Sequence, residues 1–455
     1  MPRVLIVSPH FPPANTPDMQ RVRMSLPHFV AAGWEIVVLT VDDREPLAPL
    51  EPELEATIPA PVRVVRVPAF SRRWSRYLGM NNLGLRTLPQ LYQRGAQLLR
   101  REAFDLVYFS TTQFIVFTLG RFWQLEFGVP YVIDLQDPWL SDYYHQPGAP
   151  PPPGGWKFHV SNALARLLEG WTLRRCTHVI SVSDRYLTAL RQRYPWFNPD
   201  QGSVLTFGAP DQDYVIARRL HASKPPLLPR SPTLKIAYAG RLGPDMRAAL
   251  SNLFAGLARA QLPAPGLELF FFGTSYAPAG QATATTEALA AEHGIAAQVH
   301  EHPPRIGYLD SLRLLLECDL TLVLGSEDRA YSPSKMYPTL LAGKPCLTVA
   351  PAGSVLEAKA RELGGSALVT FAQADDPAAI AEVARLVTAF AADPARAPGP
   401  ALDRDRLLGA YTAAAVAARQ LTVFNQIIRA GALVQAELDP TDYWPELKPD
   451  QPARP

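Results

Sequence analysis

Ser326 to Pro345, SEDRAYSPSKMYPTLLAGKP, read with the apolar runs on either side, decides the fold. Asp319 to Leu324 (DLTLVL) and Cys346 to Ala350 (CLTVA) are continuous apolar runs of strand length. Between them, Ser332-Pro333-Ser334 offers a hydroxyl cap and a proline for the first turn, which predicts a short helix through Leu341. Gly343 stands where a helix end takes left-handed backbone, and Pro345 stops the helix. The unit is strand, loop, helix, strand, with Lys335 in the first helical turn. Free backbone N–H groups, an ammonium and two hydroxyls suit a phosphate or diphosphate. An ordinary capped helix with its lysine in solvent remains the alternative on these residues alone.

Outward from this unit, the same alternation runs in both directions. Leu234 to Ala239, Leu267 to Phe272, Gln298 to Glu301 and Ala367 to Phe371 read as strands with helices between them. Earlier in the chain, Arg3 to Ser8, Glu35 to Val41, Arg63 to Val67, Asp105 to Ser110, Pro130 to Leu135, His178 to Val182 and Val204 to Phe207 do the same. Thr16 and Pro17 start a helix that Pro27 should kink and Gly33 should end. A long helix is expected over Trp156 to Arg175, and an amphipathic one over Arg404 to Ala430. Strands apolar on both faces, alternating with helices, indicate parallel sheets covered by helices. The class is α/β, with two doubly wound Rossmann-like domains. The expected division is residues 1–213 for the first domain, 214–233 for a proline-rich linker, 234–400 for the second domain, and 401–455 for a helix and polar tail.

Composition excludes several classes. With 455 residues, 47% apolar and 19% charged, the chain can fill two cores. A net charge of +2 calls for no nucleic acid. Cys176, Cys318 and Cys346 lie in or beside apolar runs, so buried thiols are expected rather than a disulfide framework or zinc site. Met1-Pro2-Arg3 leads straight into VLIVS, and no apolar run spans a membrane, so a cytoplasmic protein is expected. Ser71 to Glu102 carries Arg72, Arg73, Arg76, Arg86, Arg94, Arg100 and Arg101 interleaved with Trp74 and Tyr77. That segment is either a solvated helix face or a dock for a lipid headgroup or anionic acceptor, which leaves peripheral contact at the inner membrane surface open.

In open parallel sheets, ligands bind beyond the carboxyl ends of the strands. Two such domains facing a cleft would place those loops on opposite walls. The first domain offers His10, Asn15, Asp18, Arg21, Ser110, Thr111, Asp137 and Trp139 there. The second offers Gly240, Arg241, Arg247, His302 to Tyr308, and Glu327 to Lys335, which includes Asp328, Tyr331, Ser332 and Ser334. Arg241, Arg247 and Lys335 together would hold a diphosphate. Asp134 and Asp137 read as a base, as hydroxyl-binding carboxylates, or as loop caps. Asp211-Gln212-Asp213 and Asp403-Arg404-Asp405 have the form used for metal-bound nucleotides but fall outside the main alternation. No histidine pair of zinc-hydrolase spacing, Gly-x-Ser-x-Gly elbow or Gly-Lys-Ser/Thr phosphate loop occurs.

The sequence resembles bacterial glycosyltransferases of the GT-B fold, particularly glycosyltransferase family 4. The likeness is carried by VLIVSPHFPP, DLQDPW at Asp134 to Trp139, YAGRL at Tyr238 to Leu242, and SPSKMYPTLLAGKP at Ser332 to Pro345. It implies transfer of a sugar from a nucleotide-diphosphate donor on the second domain to an acceptor hydroxyl on the first, with retention, no metal and no cofactor. The acceptor would be a glycan, lipid or small molecule. Arg241 matches the family's diphosphate-binding arginine, and Ser334 to Tyr337 matches a Ser-Lys-x-Tyr variant that makes Lys335 a phosphate ligand. There are departures. The family's lysine five places after the arginine falls on Met246, with Arg247 next to it. Two family glutamates fall on Ala330 and Pro338, with Glu327 and Asp328 as substitutes, and Ser110 stands where many relatives have histidine. A nucleotide-sugar epimerase or hydrolase of the same fold, or a non-catalytic homologue binding a nucleotide sugar or a partner, are the rival readings.

Overall fold

The computed structural model describes residues 1–42, 44, 46, 48–75, 82–140, 156–264, 266–275, 282–329, 334–394 and 399–431. The chain divides into two compact units, Met1–Thr206 with Ala417–Pro455, and Phe207–Val416.

The first unit holds a seven-stranded sheet in the order β3-β2-β1-β4-β5-β6-β7. Its strands are β1 (Arg3–Val7), β2 (Glu35–Asp42), β3 (Arg63–Pro68), β4 (Leu106–Ser110), β5 (Tyr131–Leu135), β6 (His178–Ser181) and β7 (Gly202–Val204). Every pairing is parallel, and β1 lies between β2 and β4, with Val4 opposite both Ile36 and Leu106. Side chains alternate across the sheet, which explains the unbroken apolar runs. Leu5, Val7, Val37, Leu39, Val107, Phe109 and Ile133 face one core, with Trp123 buried among them. Val4, Ile6, Ile36, Val38, Leu106, Tyr108 and Val132 face the other. There Phe424, from the helix Ala413–Gly431, meets Phe29, Trp34 and Tyr108 with centroids 5.8, 5.8 and 5.1 Å away. Helix Pro17–Ala31 starts and stops as the sequence predicts, with Thr16 at its cap position and Gly33 at φ +79°, and Pro27 lies within it.

The second unit holds a six-stranded sheet in the order β10-β9-β8-β11-β12-β13. These strands are β8 (Leu234–Ala239), β9 (Leu267–Phe272), β10 (Val299–His302), β11 (Leu320–Leu324), β12 (Cys346–Pro351) and β13 (Ala367–Phe371), again all parallel. In each sheet the winding reverses direction at one place. That place is β1/β4 in the first sheet and β8/β11 in the second. Such switch points open a crevice at the carboxyl ends of the two strands.

The structure departs from sequence expectation in four places. The strand expected over Val204 to Phe207 is Gly202–Val204, because the following residues turn away and Ala209 pairs with Thr412. The first half of the expected linker 214–233 lies in the helix Asp213–Ser223, which buries Tyr214 and Ala217 against Leu312 and Leu315; the boundary between units instead lies at Thr206/Phe207. The helix expected over Arg404 to Ala430 is two, Arg404–Ala410 and Ala413–Gly431. It breaks at Tyr411, whose carbonyl accepts from the Ala209 N–H (2.6 Å) while the Ala413 N–H bonds Ala209 O (2.8 Å). Finally, the helix after β11 runs Met336–Leu341 and Lys335 occupies its cap position rather than its first turn. Ala330, Tyr331, Ser332 and Pro333 lie outside the described residues.

Candidate active site

In the second unit the switch point is where the sequence candidates meet. β8 ends at Ala239, and Gly240 turns the chain at φ +137°, a conformation that side-chain-bearing residues avoid. The space a Cβ would fill there is already taken: it would lie 2.4 Å from both Cε and Nζ of Lys335. The Lys335 ammonium lies 4.9 Å from the Tyr238 ring centroid. It donates to the Tyr238 hydroxyl (2.8 Å) and the Arg241 carbonyl (3.2 Å), neither of them a carboxylate. Burial of the ammonium, then the neighbouring Arg241 charge, pull its pKa down to about 7, with Asp245 opposing.

Arg241 is anchored by Asp245, four residues on, with Nη2 3.0 Å from Oδ1. Asp245 also accepts from the Ser326 hydroxyl (2.8 Å), and its carbonyl accepts from the Glu327 N–H (2.7 Å). Burial pushes the Asp245 carboxyl up, but Ser326 and Arg241 outweigh it and hold the group below the usual carboxylate range. The loops after β8 and β11 are therefore tied together, with two cations adjacent and one carboxylate paired to the outer cation. Tyr238 and Asp245 were not singled out by sequence reasoning. The i,i+4 spacing of Arg241 and Asp245 was the available signal. Replacing Gly240 with alanine should cost about 1–3 kcal/mol in backbone strain. It should also displace Lys335, so urea unfolding and pyrophosphate calorimetry should both register the change.

Several candidates stand elsewhere. Arg247 begins the helix Arg247–Arg259 and is exposed, with Nη2 2.9 Å from Glu292 Oε2, so it is not a second grip beside Arg241. Met246, at the family's lysine position, is buried and accepts from the Tyr238 hydroxyl (3.8 Å). Pro338 lies within its helix and its carbonyl accepts from Tyr214 (2.6 Å). Glu327 and Asp328 are exposed in the loop after β11, and Ser334 lies in the turn before the helix.

In the first unit the β1/β4 switch point gathers a second polar cluster. Asp18, in the first turn of its helix, is buried. It accepts from His10 Nδ1 (3.1 Å), the Thr111 hydroxyl (3.1 Å), and the Thr112 N–H (3.2 Å) and hydroxyl (3.3 Å). Burial pushes its carboxyl up, but the His10 bond and charge and the Thr112 amide outweigh that and bring it to about 2. Gln136 Nε2 ties the cluster to the Asp18 carbonyl (2.8 Å) and the Ser110 hydroxyl (2.9 Å). Ser110 is fully buried and donates to Asp134 (2.7 Å), which is itself buried and paired with Arg21 (3.1 Å). Ser110 and Asp134 are thus parts of the core framework. Asp137 is exposed as a residue, but partial desolvation of its carboxyl, then the Asp18 charge, raise its pKa. Asn15 donates to buried Glu51 (2.9 Å), bracing the loop after β1.

Residues 20–208 match the family model described as a glycosyl transferase 4-like domain. Comparison with curated proteins returned no match. Among solved structures, a glycosyltransferase from Rickettsia africae is 11% identical and covers 94% of this chain and 99% of its own, with a TM-score of 0.52. An α,α-trehalose-phosphate synthase (UDP-forming) from Burkholderia xenovorans is 13% identical, covers 93% and 100%, and has a TM-score of 0.53. The N-terminal domain of Candida albicans trehalose-6-phosphate phosphatase is 12% identical, covers 94% and 97%, and scores 0.54. These likenesses establish the GT-B fold over nearly the whole chain, and the glycosyltransferase resemblance read from the sequence is borne out.

In the first unit, the basic segment is partly absorbed by the fold. Arg86 is buried and donates to the Phe70 carbonyl (2.8 Å), and Arg100 pairs with Glu126. Arg76 and Tyr77 lie outside the described residues, as does the Trp74 side chain. No helix among the described residues is long and apolar enough to cross a membrane. Among those residues, no group of three or more His, Cys, Asp or Glu is placed to hold a metal ion.

Proposed function

We propose that the chain is a retaining, metal-independent glycosyltransferase. It moves a sugar from a nucleotide-diphosphate donor held by the second unit to an acceptor hydroxyl held by the first. The observation that carries this reading is the pair of adjacent cations, Arg241 and Lys335, at the β8/β11 switch point, with Gly240 shaped to admit the lysine. As the bond from the sugar carbon to the diphosphate breaks, negative charge builds on the departing oxygen. Cations already fixed in place stabilise that charge without reorganising. They supply the neutralisation that a divalent metal supplies in other transferases, which is why the reading includes no metal. Retention rests on the family likeness, with attack by the acceptor hydroxyl on the face from which the diphosphate leaves.

Thermal-shift screening of nucleotide diphosphates and their sugars tests the donor site. UDP sugars come first because the Burkholderia xenovorans synthase is UDP-forming. A ligand at about 100 times its dissociation constant adds about 2.7 kcal/mol. Turnover with an acceptor, and an NMR assignment of the product anomer, then test transfer and retention. Donor conversion without acceptor would point to an epimerase or hydrolase, and binding without turnover to a non-catalytic homologue.

Lys335 gives this site a pH signature. A diphosphate binds the ammonium form, so affinity should fall as pH rises above about 7, and binding at pH 8 should take up a proton. Calorimetry in HEPES and in Tris would read the uptake, and Lys335→Met should abolish it. In the unliganded chain the sign is opposite. The folded pKa lies below the unfolded value, so this group's contribution to stability rises from about pH 7 toward the ordinary lysine value of 10.5.

A further inference from the structure

We infer that His10, its imidazole fixed by Asp18, accepts the proton of the acceptor hydroxyl in the first unit. This rests on the transfer reading above and assigns it a proton acceptor. The argument begins with the donors around Asp18. His10, Thr111 and Thr112 all bond to its carboxylate, which is held ionised and therefore only accepts. His10 Nδ1 must then be the protonated ring nitrogen in that bond, and in the neutral imidazole Nε2 carries the lone pair. Nε2 makes no hydrogen bond among the described residues, and the side chain is 21% exposed, so that lone pair is reachable.

Position supports the same role. His10 follows β1 and Thr111 and Thr112 follow β4, so the pair sits where the first sheet's winding reverses. The loop is pinned, since the Ser8 hydroxyl donates to the His10 carbonyl (2.8 Å). Purely structural satisfaction of Asp18 would need only the threonine donors; the imidazole adds a partly exposed base. Asp137, after β5, feels the Asp18 charge and offers a second oxygen acceptor. The charged side chain bonded to His10 is the Asp18 carboxylate, and Arg66, which donates to the Pro12 carbonyl (2.7 Å) on the same loop, is paired with Glu55 (3.2 Å), so the fitting acceptor is a neutral polyol such as a sugar with adjacent hydroxyls.

In the step, the acceptor O–H bond breaks and its proton passes to Nε2. The freed electron pair on oxygen forms the new bond to the donor's sugar carbon. The bond from that carbon to the diphosphate oxygen breaks, its electrons leaving with the diphosphate, and His10 later releases the proton to water.

The test compares wild type, His10→Ala and Asp18→Asn with the donor giving the largest thermal shift, with and without a mixture of methyl hexosides. Donor binding should stay within twofold in all three. Acceptor-dependent kcat should fall about 10²-fold or more in both variants, with the acceptor KM changing less. Added imidazole should restore activity to His10→Ala and not to Asp18→Asn. Unchanged kcat in His10→Ala, or a loss confined to KM, overturns the assignment. If a variant misfolds or methyl hexosides are not acceptors, long-range ¹H–¹⁵N spectra of the wild type decide: an Nδ1–H tautomer at His10 supports it, and an Nε2–H tautomer overturns it. A wild type that binds no nucleotide sugar instead rejects the transfer reading, a result separable from the tautomer.

Discussion

Replacing Lys335 with methionine is expected to lower nucleotide-sugar turnover by about 10²–10³-fold, the loss typical of one transition-state charge partner. The unliganded chain should unfold no earlier than wild type at pH 6. Both halves follow from the same geometry. The ammonium is buried against Tyr238 and the Arg241 carbonyl, and its nearest charged neighbours are Arg241, which repels it, and Asp245, which is already paired with Arg241. Below about pH 7 the folded chain carries that charge at a cost. Methionine fills similar space without the charge, so stability should hold while the grip on the leaving diphosphate is lost. Stopped nucleoside-diphosphate assays and thermal unfolding of the same preparations check the two halves. Turnover within tenfold of wild type would remove Lys335 from the chemistry, and a large fall in stability would make it a structural lysine.

The strands were legible because both faces of each sheet are covered, leaving near-continuous runs such as LTLVL and CLTVA that only β11 and β12 could form. Gly343, with φ +74°, closes its helix as its position in AGKP suggests. Local sequence misled where distant pairing overrode it. Nothing in the amphipathic pattern of Arg404 to Ala430 announces that Ala209, about 200 residues earlier, takes the backbone groups of Tyr411 and Ala413 and splits the helix. The segment from Asp213 to Thr233 looked like a linker because its prolines cluster after Lys224, yet its first half buries Tyr214 and Ala217. At the β8/β11 switch point, Arg241 and Lys335 were visible through their positions after strand ends. Their partners Tyr238 and Asp245 became visible only with the loops in place. Arg247 was drawn in by its proximity in sequence to Arg241, but Met246 is the residue that turns inward, which sends Arg247 out to Glu292.

The second large effect concerns Asp134, which by sequence is as good a candidate base as Asp137. Arg21→Ala should destabilise the first unit by about 3–5 kcal/mol, the cost of leaving one partner of a buried ion pair alone. Arg21 and Asp134 have side chains 2% and 0% exposed, with Nε 3.1 Å from Oδ2. Tyr108 and Ser110 also donate to that carboxylate, and Arg21 Nη2 donates to the Leu205 carbonyl (2.7 Å), so the pair links β4, β5 and the end of the first unit's main segment. Burial raises the Asp134 carboxyl despite these donors, so the ion pair is what keeps the charged form tolerable. Asp134→Asn should cost a comparable amount by stranding Arg21. The double variant Arg21→Met/Asp134→Asn should cost clearly less than the sum, because neither charge remains. Tryptophan fluorescence reports on this unit, since Trp34, Trp123, Trp139, Trp171 and Trp196 all lie within Met1–Thr206 and Phe207–Val416 contains no tryptophan. Urea titrations followed by that signal give the cycle directly. A coupling near zero, or an Asp134→Asn protein of normal stability that has lost turnover, would move Asp134 from the framework into the chemistry and displace His10 as proton acceptor.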